Sequence, residues 1–99
     1  MNQIKFIVNA VKWRDRVNGN TYHSVRVIRC RDREEIYGQL TYGYGDSYRD
    51  TAKLTMLRAG WIPKKYRDNL YLYERENDYP IYYSVTYGTK RECKKNGII

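Results

Sequence analysis

Two stretches, Ile4 to Arg14 (IKFIVNAVKWR) and Thr21 to Arg31 (TYHSVRVIRCR), decide the fold, because both are rich in β-branched and aromatic residues and read as strands. Asn18-Gly19 lies between them, the strongest short signal for a type I′ hairpin turn. With these two as the loop residues, Arg14 faces His23 and Val17 faces Asn20. One face of the hairpin then carries Phe6, Val8, Ala10, Val25 and Val27, an apolar patch that should meet a helix. The other face carries Ile7, Val11, Trp13, Tyr22, Ser24, Arg26 and Ile28. Such a mixed face is either covered by another element or used for binding.

Downstream, Asp32-Arg33-Glu34-Glu35 is a polar turn and Ile36 to Tyr44 a third strand. Its glycines, Gly38 and Gly43, mark bulges or close backbone approach. Asp46 or Ser47 starts a helix running to about Ala59, with Ser47 and Asp50 spaced as a capping box. Its buried stripe is Tyr48, Ala52, Thr55, Met56 and Ala59, widened by Leu54 and Leu57. Gly60 and Pro63 end it, and Trp61 and Ile62 can fold back onto the core. Asn69 to Glu74 and Ile81 to Tyr87 read as a second hairpin joined by the polar segment Arg75 to Pro80. Thr89 with Glu92 forms a T-x-x-E capping box, opening a short helix from Lys90 to Asn96 that would need docking to persist. The order βββ-α-ββ, with a short C-terminal helix, predicts one α+β domain over residues 1–99. Its sheet is mainly antiparallel, with one long helix packed on one face.

Leu, Ile, Val and Phe are sparse, but 12 tyrosines and two tryptophans can finish a core while keeping polar edges wet. No run approaches the roughly 20 apolar residues of a membrane span, so no membrane partner is expected. The start, Met1-Asn2-Gln3-Ile4-Lys5, lacks the pattern of a signal peptide. Cys30 and Cys93 are too few for a disulfide scaffold; a bridge between the two stays open, and two unpaired thiols in a reducing cytoplasm is the simpler account. The net charge of +8 is concentrated at the two ends. Residues 1–33 hold eight Lys/Arg against two acids, and residues 80–99 hold four against one. If the ends are neighbours they make one basic face, suited to nucleic acid, nucleoprotein or an acidic protein. The plainer alternative is that the charge keeps a tyrosine-rich protein soluble.

Chemistry finds little footing. His23 is the only histidine, which argues against a metal site, and the register places it away from Cys30. Cys93 stays open as a partner for it. The carboxylates sit in turns and at a helix start, although Glu74, Glu76 and Asp78 could hold a cation weakly. Gly43-Tyr44-Gly45 has neither the Walker nor the dinucleotide spacing. No catalytic residue, cofactor or metal is expected, and a small enzyme ranks third among the readings.

Basic residues interleaved with aromatics are the positive signal. Trp13, Arg14, Tyr22, Arg26, Arg29 and Arg31 share one hairpin, and Lys64, Lys65, Tyr66 and Arg67 share one loop. Arginine can bridge phosphates and tyrosine can stack on an unpaired base. Each has a structural alternative: tyrosines such as Tyr42, Tyr71, Tyr73 and Tyr83 can be cross-strand packing, and many arginines merely solvated. Three strands followed by a helix resembles the element order of plant ethylene-response and phage integrase arm-binding domains, which present a sheet to the major groove.

Residues 18–29 (NGNTYHSVRVIR), 41–46 (TYGYGD) and 69–77 (NLYLYEREN) resemble a group of uncharacterised small proteins of phages and prophages. The resemblance implies a phage accessory protein acting in the host cytoplasm. Such proteins bind nucleic acid or block a host machine, CRISPR and restriction complexes included. The first expectation is therefore a non-catalytic binder of nucleic acid or nucleoprotein, with the ten residues above as its contacts. The second is an anti-defence, anti-CRISPR-like inhibitor docking on an acidic host protein complex through anchors such as Trp13, Tyr22 or Tyr66. Exposed strand edges leave a homodimer open.

Overall fold

Asp15 sets the first hairpin. Its carboxylate accepts hydrogen bonds from the Val17 and Asn18 amides and from Asn18 Nδ2. These close a four-residue loop over residues 16–19, and Asp15 pairs with Asn20. The two-residue turn is thus corrected: His23 lies opposite Lys12, and Arg14 opposite Thr21. The slip is two positions, an even number, so every side chain keeps its expected face.

A computed structural model describes residues 3–98. Strands β1 (Phe6–Asp15), β2 (Asn20–Arg29) and β3 (Glu34–Tyr42) lead into helix α1 (Ser47–Arg58). A 3₁₀ turn (Lys64–Tyr66), helix α2 (Leu70–Glu76), strand β4 (Ile81–Tyr87) and helix α3 (Lys90–Asn96) follow. The sheet order is β3-β2-β1-β4. β1 pairs antiparallel with β2, and β2 with β3, but β4 joins β1 in parallel. The chain is α+β, and its sheet is mixed.

The second hairpin is overturned, because residues 70–76 are helix α2. Tyr71 and Tyr73 flank Leu72 with a strand's alternation, yet Leu70, Tyr73, Glu74 and Asn77 also recur at helical spacing. That second pattern wins because it packs: Tyr73 and Glu74 are buried and Leu70 lies against the core. A single long helix is therefore not what covers the sheet. The β3–β4 crossover brings α1, the 3₁₀ turn and α2 to one face. There Phe6, Val8, Ala10, Val25 and Val27 meet Tyr48, Ala52, Met56, Ile62, Tyr66 and Tyr73. Trp61 folds back as expected and stacks on Phe6, with ring centroids 5.8 Å apart.

Two further details differ from expectation. Asp46 is the N-cap of α1 and Ser47 Oγ donates back to the Tyr44 carbonyl, so no Ser47–Asp50 capping box forms. Lys53, on the stripe of α1, is buried and paired with Glu74 at 3.1 Å. Gly38 is a close approach, as expected: a Cβ there would lie 2.6 Å from Val25 Cγ2 and 2.9 Å from Thr55 Oγ1.

The opposite face of the sheet is crossed by α3. The Thr89–Glu92 capping box is present. Cys93 Sγ donates to the Val11 carbonyl, and Asn96 Nδ2 donates to the Asn9 and Ser24 carbonyls. Gly97 then seats the helix end on β3, where a Cβ would stand 2.7 Å from the Gly38 carbonyl oxygen. Among the described residues no helix is long and apolar enough to cross a membrane.

Candidate nucleic-acid interface

The mixed face of the hairpin is both covered and free. α3 takes its middle, over Val11, Ser24 and Gly38. Beyond it lies a row of rings. Trp13 stacks on Tyr22 at 5.3 Å, Tyr22 meets Tyr42 edge-on at 5.7 Å, and Tyr42 meets Tyr44 edge-on at 6.3 Å. The row crosses β1, β2 and β3 in order, because Trp13 pairs with Tyr22 and Tyr22 with Tyr42. Its outer members are open: Tyr42 is 57% exposed and Tyr44 67%.

Helix α3 runs beside this row, across the same three strands. Its start adjoins Trp13, with Lys90 Nζ 5.4 Å from that ring, and its end adjoins Gly38. Cys93, Asn96 and Gly97 face the sheet. Arg91, Lys94 and Lys95 are exposed, as is Lys90. Lys90 with Lys94, and Arg91 with Lys95, are neighbours one helical turn apart. A band of four cations thus parallels a row of four rings. The basic ends of the chain do meet, through α3 on β1 and β2.

The turn that carries Tyr44 is pinned. His23, buried on the α1 side, donates from Nδ1 to the Gly43 carbonyl at 3.2 Å. Its Nε2 then accepts from Thr51 Oγ1 at 2.6 Å. The Gly43 amide donates to the Thr21 carbonyl, and Ser47 Oγ holds the Tyr44 carbonyl at 2.8 Å. Burial, with a smaller contribution from Lys12, holds the His23 pKa below its ordinary value, against the Gly43 bond.

The residues expected as contacts are scattered over the molecule. Trp13 and Tyr22 belong to the row. Arg26 lies on the α3 side, its guanidinium 5.0 Å from the Tyr37 ring. Arg29 lies on the α1 side, bonded to Asp32 at 2.7 Å and 4.5 Å from the Trp61 ring. Arg14 is exposed, and Arg31 is exposed at the edge of the Asp32 pair. Lys64, Lys65 and Arg67 are exposed around the 3₁₀ turn, whereas Tyr66 is buried and bonds Glu76. Tyr66 is therefore core, not an anchor. Sequence reading missed Tyr42, Tyr44, Lys90, Arg91, Lys94 and Lys95, although the C-terminal charge excess pointed to the last four.

His23 and Cys93 lie on opposite faces of the sheet, so they form no dyad. Both cysteines are free, Cys30 exposed and Cys93 buried. Glu74 takes bonds from Lys53 and Tyr83 and Glu76 one from Tyr66, which commits them to packing rather than to a cation. Compared with protein-family models, curated proteins and solved structures, the chain matches none.

Proposed function

We propose that this chain is a non-catalytic accessory protein of the phage type that binds nucleic acid, free or within a nucleoprotein complex, through the α3 side of its sheet. One observation carries the reading: four exposed cations on α3 lie alongside an aromatic row on the same face. Lys90, Arg91, Lys94 and Lys95 crowd a helix of seven residues at a repulsive cost, which a polyanion relieves. Arg26 and its Tyr37 platform extend the same face.

The test is binding of fluorescent oligonucleotides at about 50 and 200 mM salt, the range over which phosphate-driven affinity changes by orders of magnitude. Wild-type protein should bind with a steep salt slope. Lys94→Glu with Lys95→Glu should flatten that slope by roughly 0.7 for each single-strand phosphate that is no longer neutralised. Binding that is absent at low salt removes the reading.

A second reading, an inhibitor docking on a host defence complex, draws on Tyr44, a large ring held out on a pinned turn, as interface anchors are. Docking of that kind loses far less affinity with added salt, so the same titration against the captured partner separates the two.

A further inference from the structure

We infer that the ligand of this face is a single strand, DNA or RNA, laid across β1, β2 and β3, with unpaired bases stacked on Tyr42 and Tyr44 and phosphates along α3. The inference rests on the nucleic-acid reading above and makes it specific.

Three observations support it. The two rings are the open end of the row, and the core has no need of them: neither is among the residues that fill it. Each meets its neighbour edge-on rather than face to face, at interplanar angles of 71° and 82°. An edge-on contact covers a face of only one ring in each pair, and both side chains stay more than half exposed, so ring surface remains open for a base to stack on. The supporting backbone is already ordered by His23, Thr21 and Ser47, so little entropy is lost when a base arrives.

The geometry disfavours a duplex. The sheet face that a sheet-reading domain would lay into a major groove is crossed by α3, which stands above β1, β2 and β3. A single strand has no such requirement. It can follow the shelf between helix and rings, where charge and stacking run side by side. Every base has a π-face, so the site should tolerate sequence and take either sugar.

The experiment measures affinity of the full chain for a dT oligomer, a U oligomer and a blunt duplex of equal length, at low salt. Wild type is compared with Tyr42→Ala plus Tyr44→Ala. Tyr82→Ala is the control, an exposed tyrosine on the β4 edge of the same face. Circular dichroism and Tm confirm that each variant folds. Wild type should prefer both single strands to the duplex. The double variant should lose about fivefold or more per ring for single strands, as stacked bases do on alanine substitution, and leave duplex binding unchanged. Tyr82→Ala should change neither.

Two results overturn the inference while leaving the nucleic-acid reading intact. One is equal, salt-sensitive binding of strands and duplex that the double variant does not alter. The other is a single-strand preference that survives the double variant. Absence of binding to all three probes overturns both.

Discussion

The His23 imidazole reaches from beneath α1 to the carbonyl of Gly43, 3.2 Å away, and so ties the sheet to the turn that displays Tyr44. The ring is buried and neutral, one nitrogen donating and the other accepting from Thr51. A residue with an ordinary strand position in the sequence thereby becomes the hinge pin of the candidate site.

The pin should be sensitive to acid. Burial lowers the His23 pKa, so the unfolded chain binds the proton more readily than the folded one. Stability is then fully present above the ordinary histidine pKa of about 6.5 and is lost as pH falls through the folded value. It is the only histidine, and most carboxylates titrate lower. Thermal melts from about pH 7.5 to about pH 5 should show Tm falling below about pH 6.5. In His23→Gln that segment of the profile should flatten.

A second prediction concerns the buried ion pair between α1 and α2. Lys53 Nζ and Glu74 Oε2 are 3.1 Å apart, both side chains almost fully buried, and the Tyr83 hydroxyl donates to the other Glu74 oxygen. Burial first, and then the Glu74 bond, pushes the Tyr83 phenol up, so it stays a donor. Glu74→Gln leaves the Lys53 ammonium without its counter-charge and should cost about 3–5 kcal/mol in urea unfolding. Lys53→Met with Glu74→Gln removes both charges and should recover most of that loss. A double variant no more stable than Glu74→Gln would show that the charge pair is not the cause.

The hairpin faces were legible because strand alternation has a period of two, and a loop misjudged by two residues leaves that parity intact. The capping box at Thr89 and Glu92 was legible because it is purely local. Helix α2 was not, since Tyr71-Leu72-Tyr73 satisfies a strand's alternation while tertiary packing of Tyr73 selects the helix. Lys53 and Glu74 stand 21 positions apart, and nothing local in either announces the other. The candidate site was half legible: Trp13 and Tyr22 were named, but Tyr42 joins them only through β2–β3 pairing, and the α3 cations only through docking.

Gly38 should be intolerant of any side chain. The position faces α1, and a Cβ would stand 2.6 Å from Val25 Cγ2. Val25 is fully buried and cannot withdraw without disturbing the core. Gly38→Ala should destabilise by about 1–3 kcal/mol, as overpacking does, even though alanine is the better strand residue by backbone entropy. Unchanged stability in a denaturant titration would mean that α1 can shift outward.

Docking of α3 can be read through Cys93. Its thiol is buried and donates to the Val11 carbonyl at 3.3 Å. Burial pushes its pKa up, against a weaker opposing bond with Ser24, so it should resist thiol reagents while exposed Cys30 reacts. Access to it requires α3 to lift. The helix is held at its start by Thr89 Oγ1, which accepts from the Glu92 amide at 3.2 Å, and by the Glu92 carboxylate, which accepts from the Thr89 amide at 2.8 Å. Thr89→Ala removes the first of these and should cost about 1 kcal/mol. If lifting of α3 limits access, modification of Cys93 by a disulfide reagent should accelerate about fivefold, the rate change that such an energy implies, while Cys30 reacts as before. Equal acceleration at both thiols would instead report global unfolding. No acceleration at Cys93 would mean that α3 stays docked without its cap.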